Sequence, residues 1–541
     1  MLTAVVPVYN GGEEIVENIG VIRRVLADGL PGEDIELIVV SDGSIDETAE
    51  QLLAVRGEAG IRVIHYDRNL GKGYAVKAGA LAARGDWVAL IDADLDLDPT
   101  SVPSYLEVAR REKLDFAIGS KRHPDSVVSY PRSRRIASWC YQQLNRVLFG
   151  LDVRDTQVGL KLFSRRVVDD VMPLLLVKQF AFDLELLAVA GALGYDRMKE
   201  LPVRLQYRFA GSTLGSLAVV RALSDTAAVF YRLRVLRTYQ RKRRLLGVRD
   251  QKAELPLVSV VGNHAAVSLL DYAPLELAPS AADARGPLLA VLREGVRPAG
   301  NWVTAAVPFF VDSDVAAVVT PALAPLRGPL RVRVAAAVLE SRLGGGSRRS
   351  SFFPGNVRTL LDHPAENVVV RRGDYIDALD AAVDDDELVA WLASRGKRTI
   401  YTPDASTSAP PSPLVRPHLS GVMRHASARA RAARRTQGRS LSLATALSLA
   451  PAIAAIVGAV FLAAGGTLQR IGLVLVVAYG AALLLSGLHA AVRFRSIGVG
   501  LLEPPAVVAS QVAYLVGFGA GLKSSLARRS PSRVLHSKRR T

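Results

Sequence analysis

Trp87-Val88-Ala89-Leu90-Ile91-Asp92-Ala93-Asp94 is the stretch whose reading decides the fold. The largely apolar run 87–91, bounded by Gly85-Asp86, has the pattern of a strand buried on both faces. It ends in two carboxylates spaced i, i+2. Open α/β sheets bind ligands outside the carboxyl ends of their strands. Hard oxygen donors at such an end suit a divalent cation that bridges to a diphosphate. The bland alternative is a solvated turn or a helix cap, and the flanking sequence decides between them.

Outward from this strand the chain alternates. Leu2–Asn10 reads as a strand closing on Gly11-Gly12, followed by a helical pattern over Glu13–Ala27. Ile35–Val40 is a second buried strand that closes on Ser41-Asp42-Gly43-Ser44. Thr48–Val55 is a helix and Ile61–His65 a third strand. Alternating strands and helices predict a parallel, doubly wound sheet. Asp42 and the Asp92/Asp94 pair would then face one crevice. Asn69-Leu70-Gly71-Lys72-Gly73-Tyr74-Ala75 is a glycine-rich turn entering a helix, where Lys72 supplies positive charge near a phosphate. No Walker pattern is present.

At 541 residues the chain is too long for one core. Half of it is hydrophobic and its formal charge is +17. Nucleic acid, anionic lipid or phosphorylated substrates could each explain that charge. The basic residues crowd into 232–249, 424–439 and 523–540, the last two flanking long apolar segments, which favours a membrane surface and no nucleic acid. A lone cysteine, Cys140, excludes internal disulfides and cysteine-rich zinc sites; it reads as a small core residue on a helix. Met1 leads straight into a strand, so no cleavable signal peptide is expected.

Pro7-Val8-Tyr9-Asn10, Val39–Ser44, Asn69–Gly73 and Asp92-Ala93-Asp94 resemble the ordered motifs of family-2 inverting glycosyltransferases with the GT-A fold. Gly119-Ser120-Lys121-Arg122, Asp155–Phe163 and Phe182–Leu187 are similar to the dolichyl-phosphate glucosyltransferase and mannose synthase branch. The resemblance covers roughly residues 1–245. Ser41 departs from it, because the family usually has Asp there. The resemblance implies that Pro7, Tyr9 and Asn10 line the base and ribose pocket. It also implies that Asp42 bonds the base, that Lys72 lies along the nucleotide and that Asp92 and Asp94 hold Mg²⁺ or Mn²⁺. Asp96 is either a third ligand or a loop carboxylate. Asp155 and Lys161 belong to a block that closes the donor and acceptor pocket, so they join Asp92 and Asp94 as catalytic candidates.

The acceptor implied is a polyprenyl phosphate, whose second pKa near ~6 makes it a competent nucleophile without a strong base. Lys121, Arg122, Arg132, Arg134, Arg135 and Gln157 are candidates to recognise it; the alternative is a solvated basic face. They precede or follow a helical stretch over Ile136–Phe149. Val219–Arg249 mixes apolar and basic positions and predicts an amphipathic helix lying on a membrane.

The expected organisation is therefore α/β throughout: a Rossmann-like GT-A domain over 1–250, then a degenerate GT-A-like or an unrelated α/β domain over 251–420. Ser406–Pro417 reads as a loop or linker, and 421–440 as a basic juxtamembrane segment. The membrane region, 441–522, is expected to span at Leu441–Gly465 and Ile471–Val492. Val499–Leu522 is expected to be re-entrant or interfacial, with spanning as the alternative, because the basic tail 523–541 would otherwise lie outside. These readings predict a multi-pass cell-membrane enzyme with cytoplasmic catalytic domains that moves a hexose from a UDP- or GDP-sugar to a polyprenyl phosphate. Extension of a cell-wall or surface polysaccharide is the rival, and a non-catalytic sugar-nucleotide scaffold the third reading.

Overall fold

The computed structural model describes residues 1–126, 132–177, 181–205, 216–246, 255–361, 363, 365, 367–435 and 443–523. The chain divides into two units, Met1–Glu254 and Leu255–Thr541. The tail 524–541 lies outside the described residues.

In the first unit, strands β1 (Leu2–Val8), β2 (Ile35–Asp42), β3 (Ile61–Tyr66), β4 (Trp87–Leu90), β5 (Phe116–Ser120), β6 (Lys161–Ser164) and β7 (Met198–Pro202) form one sheet. Their order is β3-β2-β1-β4-β6-β5-β7. The sheet is mixed, where an all-parallel one was expected: β6 runs antiparallel to both β4 and β5. Helix α1 (Ile15–Gly29) buries Ile15, Ile19, Ile22 and Leu26, a 3.6-residue stripe against the sheet. Helices α2 (Thr48–Ala54), α3 (Lys72–Ala82) and α4 (Val102–Arg111) follow the next strands. Contact between α3 and the sheet is close, since a Cβ on Gly79 would stand 2.4 Å from Val5. Helix α5 (Arg132–Phe149) extends the stretch foreseen from Ile136, and α6 (Arg165–Asp170) and α7 (Phe182–Ala192) follow.

The predicted amphipathic helix over 219–249 is broken. A helix over Ser216–Phe230 ends in a π-turn at Tyr231–Val235, and Thr238–Leu246 restarts after Arg237 at φ 48°. Val229, Leu233 and Tyr239 are buried within the unit, while Leu223, Tyr231 and Val235 are exposed. The apolar positions thus serve two faces. Cys140 is exposed and not in the core, because α5 turns Asn145 inward and Cys140 with Trp139 outward.

The second unit has strands β8 (Val258–Gly262), β9 (Leu275–Ala278), β10 (Leu288–Leu292), β11 (Arg297–Pro298), β12 (Val315–Val319), β13 (Ala322–Leu323), β14 (Arg358–Leu360), β15 (Val368–Arg371), β16 (Arg398–Tyr401) and β17 (Thr407–Ser408). Its main sheet runs β9-β8-β10-β15-β12-β16-β14. The first six repeat β2-β1-β4-β6-β5-β7 in order and direction, with the fourth strand antiparallel to both neighbours. Among the described residues no strand of this sheet takes the place of β3, and β14 lies at the far edge.

Side chains at the closed edge repeat too. Thr3 Oγ1 donates to Glu36 at 2.6 Å and accepts from Gly85 N at 2.9 Å, while Arg84 N donates to Glu36. Ser259 Oγ likewise donates to Glu276 and accepts from Gly286 N at 2.9 Å, and Arg285 N donates to Glu276. A Cβ on Gly85 would meet Thr3 N at 2.6 Å, and one on Gly286 would meet Leu257 O at 2.6 Å.

Within the expected loop or linker 406–417, Thr407–Ser408 form β17, which pairs with β11 and β13. A helix over Arg416–Arg435 then packs on the helix Ile497–Lys523. Leu443–Leu462 and Gly466–Arg493 are also helical. Gly466–Arg493 and Ile497–Lys523 are the two described helices long and apolar enough to cross a membrane, with mean hydropathies of 2.3 and 1.4. The last is one unbroken helix despite Pro504 and Pro505. Part of the basic segment is consumed internally: Arg431 Nε donates to Glu387 at 2.8 Å, and Arg434 to Leu522 O at 3.0 Å.

Candidate active site

The site forms where β1, β2 and β4 end and α3 and α7 begin. Gly43, at φ 63°, ends β2 in a turn that only glycine fits, since a Cβ would stand 2.1 Å from the Arg68 carbonyl carbon. Asp42 can therefore reach the Asn69-Leu70-Gly71 turn. Its carboxylate accepts from Leu70 N at 2.7 Å, Gly71 N at 3.0 Å and Asn69 Nδ2 at 3.1 Å. Burial pushes the Asp42 carboxyl up to about 6, against the pull of these N–H groups and the Tyr66 hydroxyl. Asp42 thus fastens the turn that presents Lys72, alongside any contact it makes with a base. Asn10 ties the two neighbouring loops together: its Oδ1 accepts from Ile45 N at 2.9 Å and its own N donates to Ser44. Tyr9 stands exposed beside it. Ser41 bonds His65 Nδ1 at 3.2 Å, and His65 bonds Asp67 in turn.

Pro7, Lys72, Gly73, Asp92, Gly159 and Asp183 line one crevice. Lys72 Nζ donates to Asp92 Oδ1 at 2.5 Å. Burial alone would lower the Lys72 pKa, but Asp92, Asp183 and Asp94 outweigh it and hold it above the ordinary lysine value. Loss of hydration, and then the Asp92 and Asp96 charges, raises the Asp94 pKa. Asp94 Oδ1 accepts from Asp96 N at 3.1 Å. Among the described residues no three acidic, histidine or cysteine side chains gather tightly enough to hold an ion by themselves. Asp92, Asp94 and Asp96 lie close enough for the charges of the first and last to act on Asp94. A divalent ion still fits, because Mg²⁺ is commonly held by one or two carboxylates with substrate phosphates. The crowded carboxylates are short of positive charge, and Asp96 Oδ1 is buried without a hydrogen-bond partner.

Two residues that sequence reasoning left without a role shape this crevice. A Cβ on Gly159 would stand 1.8 Å from Asp92 Oδ2, so glycine is what lets that carboxylate stay in place. Gly73 lies so close to Phe182 that a Cβ would meet it at 2.6 Å, which brings Asp183 beside Lys72. Lys161 is fully buried and donates to Asp183 at 2.6 Å and to Val158 O. It therefore positions Asp183 from below and does not face the crevice. Glu185, on the same helix, accepts from Leu176 N, Val177 N and the Tyr239 hydroxyl.

The acceptor candidates are more scattered. Asp155 Oδ2 accepts from Lys121 N at 3.2 Å, and Glu200 receives the Arg154 and Asp155 N–H groups at 3.0 Å. Arg122 is held by Gln142 of α5, and Gln157 is exposed. The side chains of Arg132, Arg134 and Arg135 lie outside the described residues.

Residues 3–172 match the model of glycosyl transferase family 2. A dolichyl-phosphate beta-glucosyltransferase of Drosophila melanogaster is 35% identical over 219 residues, covering 38% of this chain and 66% of that protein. Glycosyltransferase AglD of Haloferax volcanii is 35% identical over 204 residues, 37% of this chain and 32% of its own. Dodecaprenyl-phosphate galacturonate synthase of Rhizobium johnstonii is 29% identical, covering 43% and 67%. The chain spans about a third to two-thirds of the length of these curated relatives. A solved glucosyl-3-phosphoglycerate synthase from Mycobacterium tuberculosis, in complex with UDP, is 19% identical and covers 47% of this chain and 83% of its own, with a TM-score of 0.31.

Proposed function

The chain carries a family-2 glycosyltransferase domain over residues 3–172, and from that premise we propose that it transfers a hexose from a UDP- or GDP-sugar to a polyprenyl phosphate, inverting the anomeric centre, at the cytoplasmic face of a membrane. The observation that carries the reading is the crevice at the end of β4, where Asp92 bonds Lys72 across from Pro7 and the Asp94 charge acts on Lys72 as well. Pro7, Tyr9, Asn10 and Asp42 bind the nucleoside, and Lys72 lies against its diphosphate. A divalent cation, Mg²⁺ or Mn²⁺, held by Asp92 and Asp94 would neutralise charge on the departing diphosphate. The acceptor phosphate needs no base to become a nucleophile, which suits an Asp183 already committed to Lys161. Lys121, Arg122, Arg134 and Gln157 orient that phosphate, and Asp155 fixes the Lys121 backbone they depend on.

The second unit is read as a copy of the first that performs no transfer. Counting from Gly85 and Gly286, Arg293 stands where Asp92 does and Gly295 where Asp94 does. Arg293 pairs with Asp385 at 3.4 Å. Guanidinium stays charged at any cellular pH, so the strand end repels the cation a donor would bring.

Incubating membranes that contain the chain with a panel of labelled sugar nucleotides, then extracting the lipid, tests the reading. Label in an acid-labile polyprenyl fraction supports it and identifies the donor. Label only in polymeric glycan would favour the polysaccharide alternative.

A further inference from the structure

The helix Ile497–Lys523 is amphipathic in an unusual sense. Its inward face buries the polar Glu503, Ser510 and Gln511, while Leu501, Val512 and Val516 point outward and are exposed. Along its whole length it lies on folded protein of the second unit. Gly498 approaches Leu330, and Gly517 and Gly521 are pressed so close to the Arg416–Arg435 helix that a Cβ would meet Met423 O at 2.4 Å and Ser427 O at 2.5 Å. A helix held this way, with only its apolar face free, offers that face to lipid.

Between those contacts the two helices part around a cavity lined by Gly344, Gly345, Arg348, Ser510, Gln511 and Tyr514. Its floor is a glycine turn that cannot be otherwise: a Cβ on Gly345 would stand 2.1 Å from Leu339 O, and one on Gly344 2.6 Å from Val338 O. Arg348 Nε is buried there with no hydrogen-bond partner, its guanidinium 5.4 Å over the Phe352 ring. Among the described residues no carboxylate pairs with Arg348. The nearby acids are engaged elsewhere, Glu340 with Arg493 at 2.7 Å and Glu503 with Ser486 at 2.7 Å. Histidines do not add to the charge. Burial, and then Arg348, pushes His418 down to about 4, and burial with Arg358 and Arg348 pushes His363 down to about 3. His418 is further spent on Ser510 Oγ at 2.9 Å.

A half-buried guanidinium whose Nε has neither a hydrogen-bond partner nor a counter-charge, set among hydroxyl and amide groups, calls for an anion. The apolar Leu339, Leu343 and Val422 that complete the wall, and the exposed Val512 and Val516 on the adjoining helix face, call for acyl chains attached to it. We infer that this cavity binds the phosphate headgroup of an anionic membrane lipid, with Arg348 as its charged anchor. The inference rests on the membrane placement proposed above but not on sugar transfer.

The test uses the full chain, purified in a neutral detergent, delipidated and offered labelled phosphatidylglycerol or phosphatidylcholine of equal chain length. Phosphatidylglycerol should be retained about tenfold more tightly, and Arg348→Gln should abolish that preference while Arg348→Lys keeps part of it, since one charge-assisted bond is worth about a factor of ten. Equal retention of the two lipids by the wild-type chain overturns the site whatever the variants do. So does displacement of the lipid by millimolar inorganic phosphate, which would make a soluble anion the occupant. Lipid retention in a chain that transfers no sugar would leave the site standing and count against the enzymatic reading alone.

Discussion

Arg293 holds, in the second sheet, the strand-end position that Asp92 holds in the first. The register fixes this: β4 opens with Trp87 opposite Ser164, and β10 with Leu288 opposite Arg371. Arg165 N bonds Asp86 O at 2.7 Å, and Arg372 N bonds Pro287 O at 2.9 Å. If Asp92 holds the cation proposed above, this charge reversal should silence the second unit. Asp385→Ala with Asp386→Ala should leave lipid glycosylation within about twofold of wild type, whereas Asp92→Ala with Asp94→Ala should remove it. A comparison of the three initial rates with labelled donor checks this, and strong loss in the Asp385/Asp386 pair would assign chemistry to the second unit.

Asp94→Ala should lower turnover by about 10²–10³-fold, the size seen when one group that stabilises leaving-group charge is lost. EDTA should do the same to the wild-type chain, and added Mn²⁺ or Mg²⁺ should restore it. Turnover that persists in EDTA would remove the cation from the mechanism.

Gly159→Ala probes positioning without touching a charge. The new methyl would collide with Asp92 Oδ2, so the carboxylate must swing away. The expected result is a fall in kcat of about 10²-fold, the cost of a misplacement near 1 Å, with unchanged expression and folding. A variant with normal kcat would mean that Asp92 is not needed where it stands.

Asp42 makes the first unit sensitive to pH in a stated direction. Its folded pKa, about 6, lies above the unfolded value near ~3.9. Proton binding therefore favours the folded state: the group's contribution to stability is greatest at low pH and falls as pH rises from about 4 through 6, by about 3 kcal/mol in all. Ionisation in turn strengthens the bonds from Leu70 and Gly71. Hydrogen-exchange protection of those two amides should drop as pH is lowered through 6, and Asp42→Asn should show the low protection at every pH. Protection independent of pH would mean that the carboxyl titrates elsewhere.

A reporter placed after Gly498 and one after Thr541 should label from the same, cytoplasmic side. The reason is that Ile497–Lys523 rests on the folded second unit from Leu330 to Ser427. Labelling from opposite sides would show that it crosses.

The strand ends were legible because each coincides with a change in composition: apolar runs stop at Asn10, Asp42 and Asp92, and turn residues follow. The direction of β6 was not. Lys161-Leu162-Phe163-Ser164 is short and reads alike either way, and only its pairing to both β4 and β5 makes it antiparallel. Nor could spacing reveal that Lys161 is buried, since its partner Asp183 comes from another element. The break at Arg237 was hidden because apolar residues facing the core and facing outward share one helical period. The sequence suggested a degenerate GT-A-like domain over 251–420, but the paired side chains at the start of its strands could not be read from spacing. Thr3 and Glu36 are separated by a helix that Ser259 and Glu276 lack, so the same bonds are made at different spacings.

The repeated bonds have a consequence for how the chain drifts over generations. Ser259, Glu276, Arg285 and Gly286 sit at the edge where the parallel strands of the second sheet begin, and they keep the pattern of Thr3, Glu36, Arg84 and Gly85. The opposite edge has exchanged its acids for Arg293 and Gly295. On the proposed reading, one border of that sheet answers for folding, while the other does not answer to a substrate. Substitutions should accumulate freely along the second border and be purged along the first, which leaves the second unit a scaffold open to new partners.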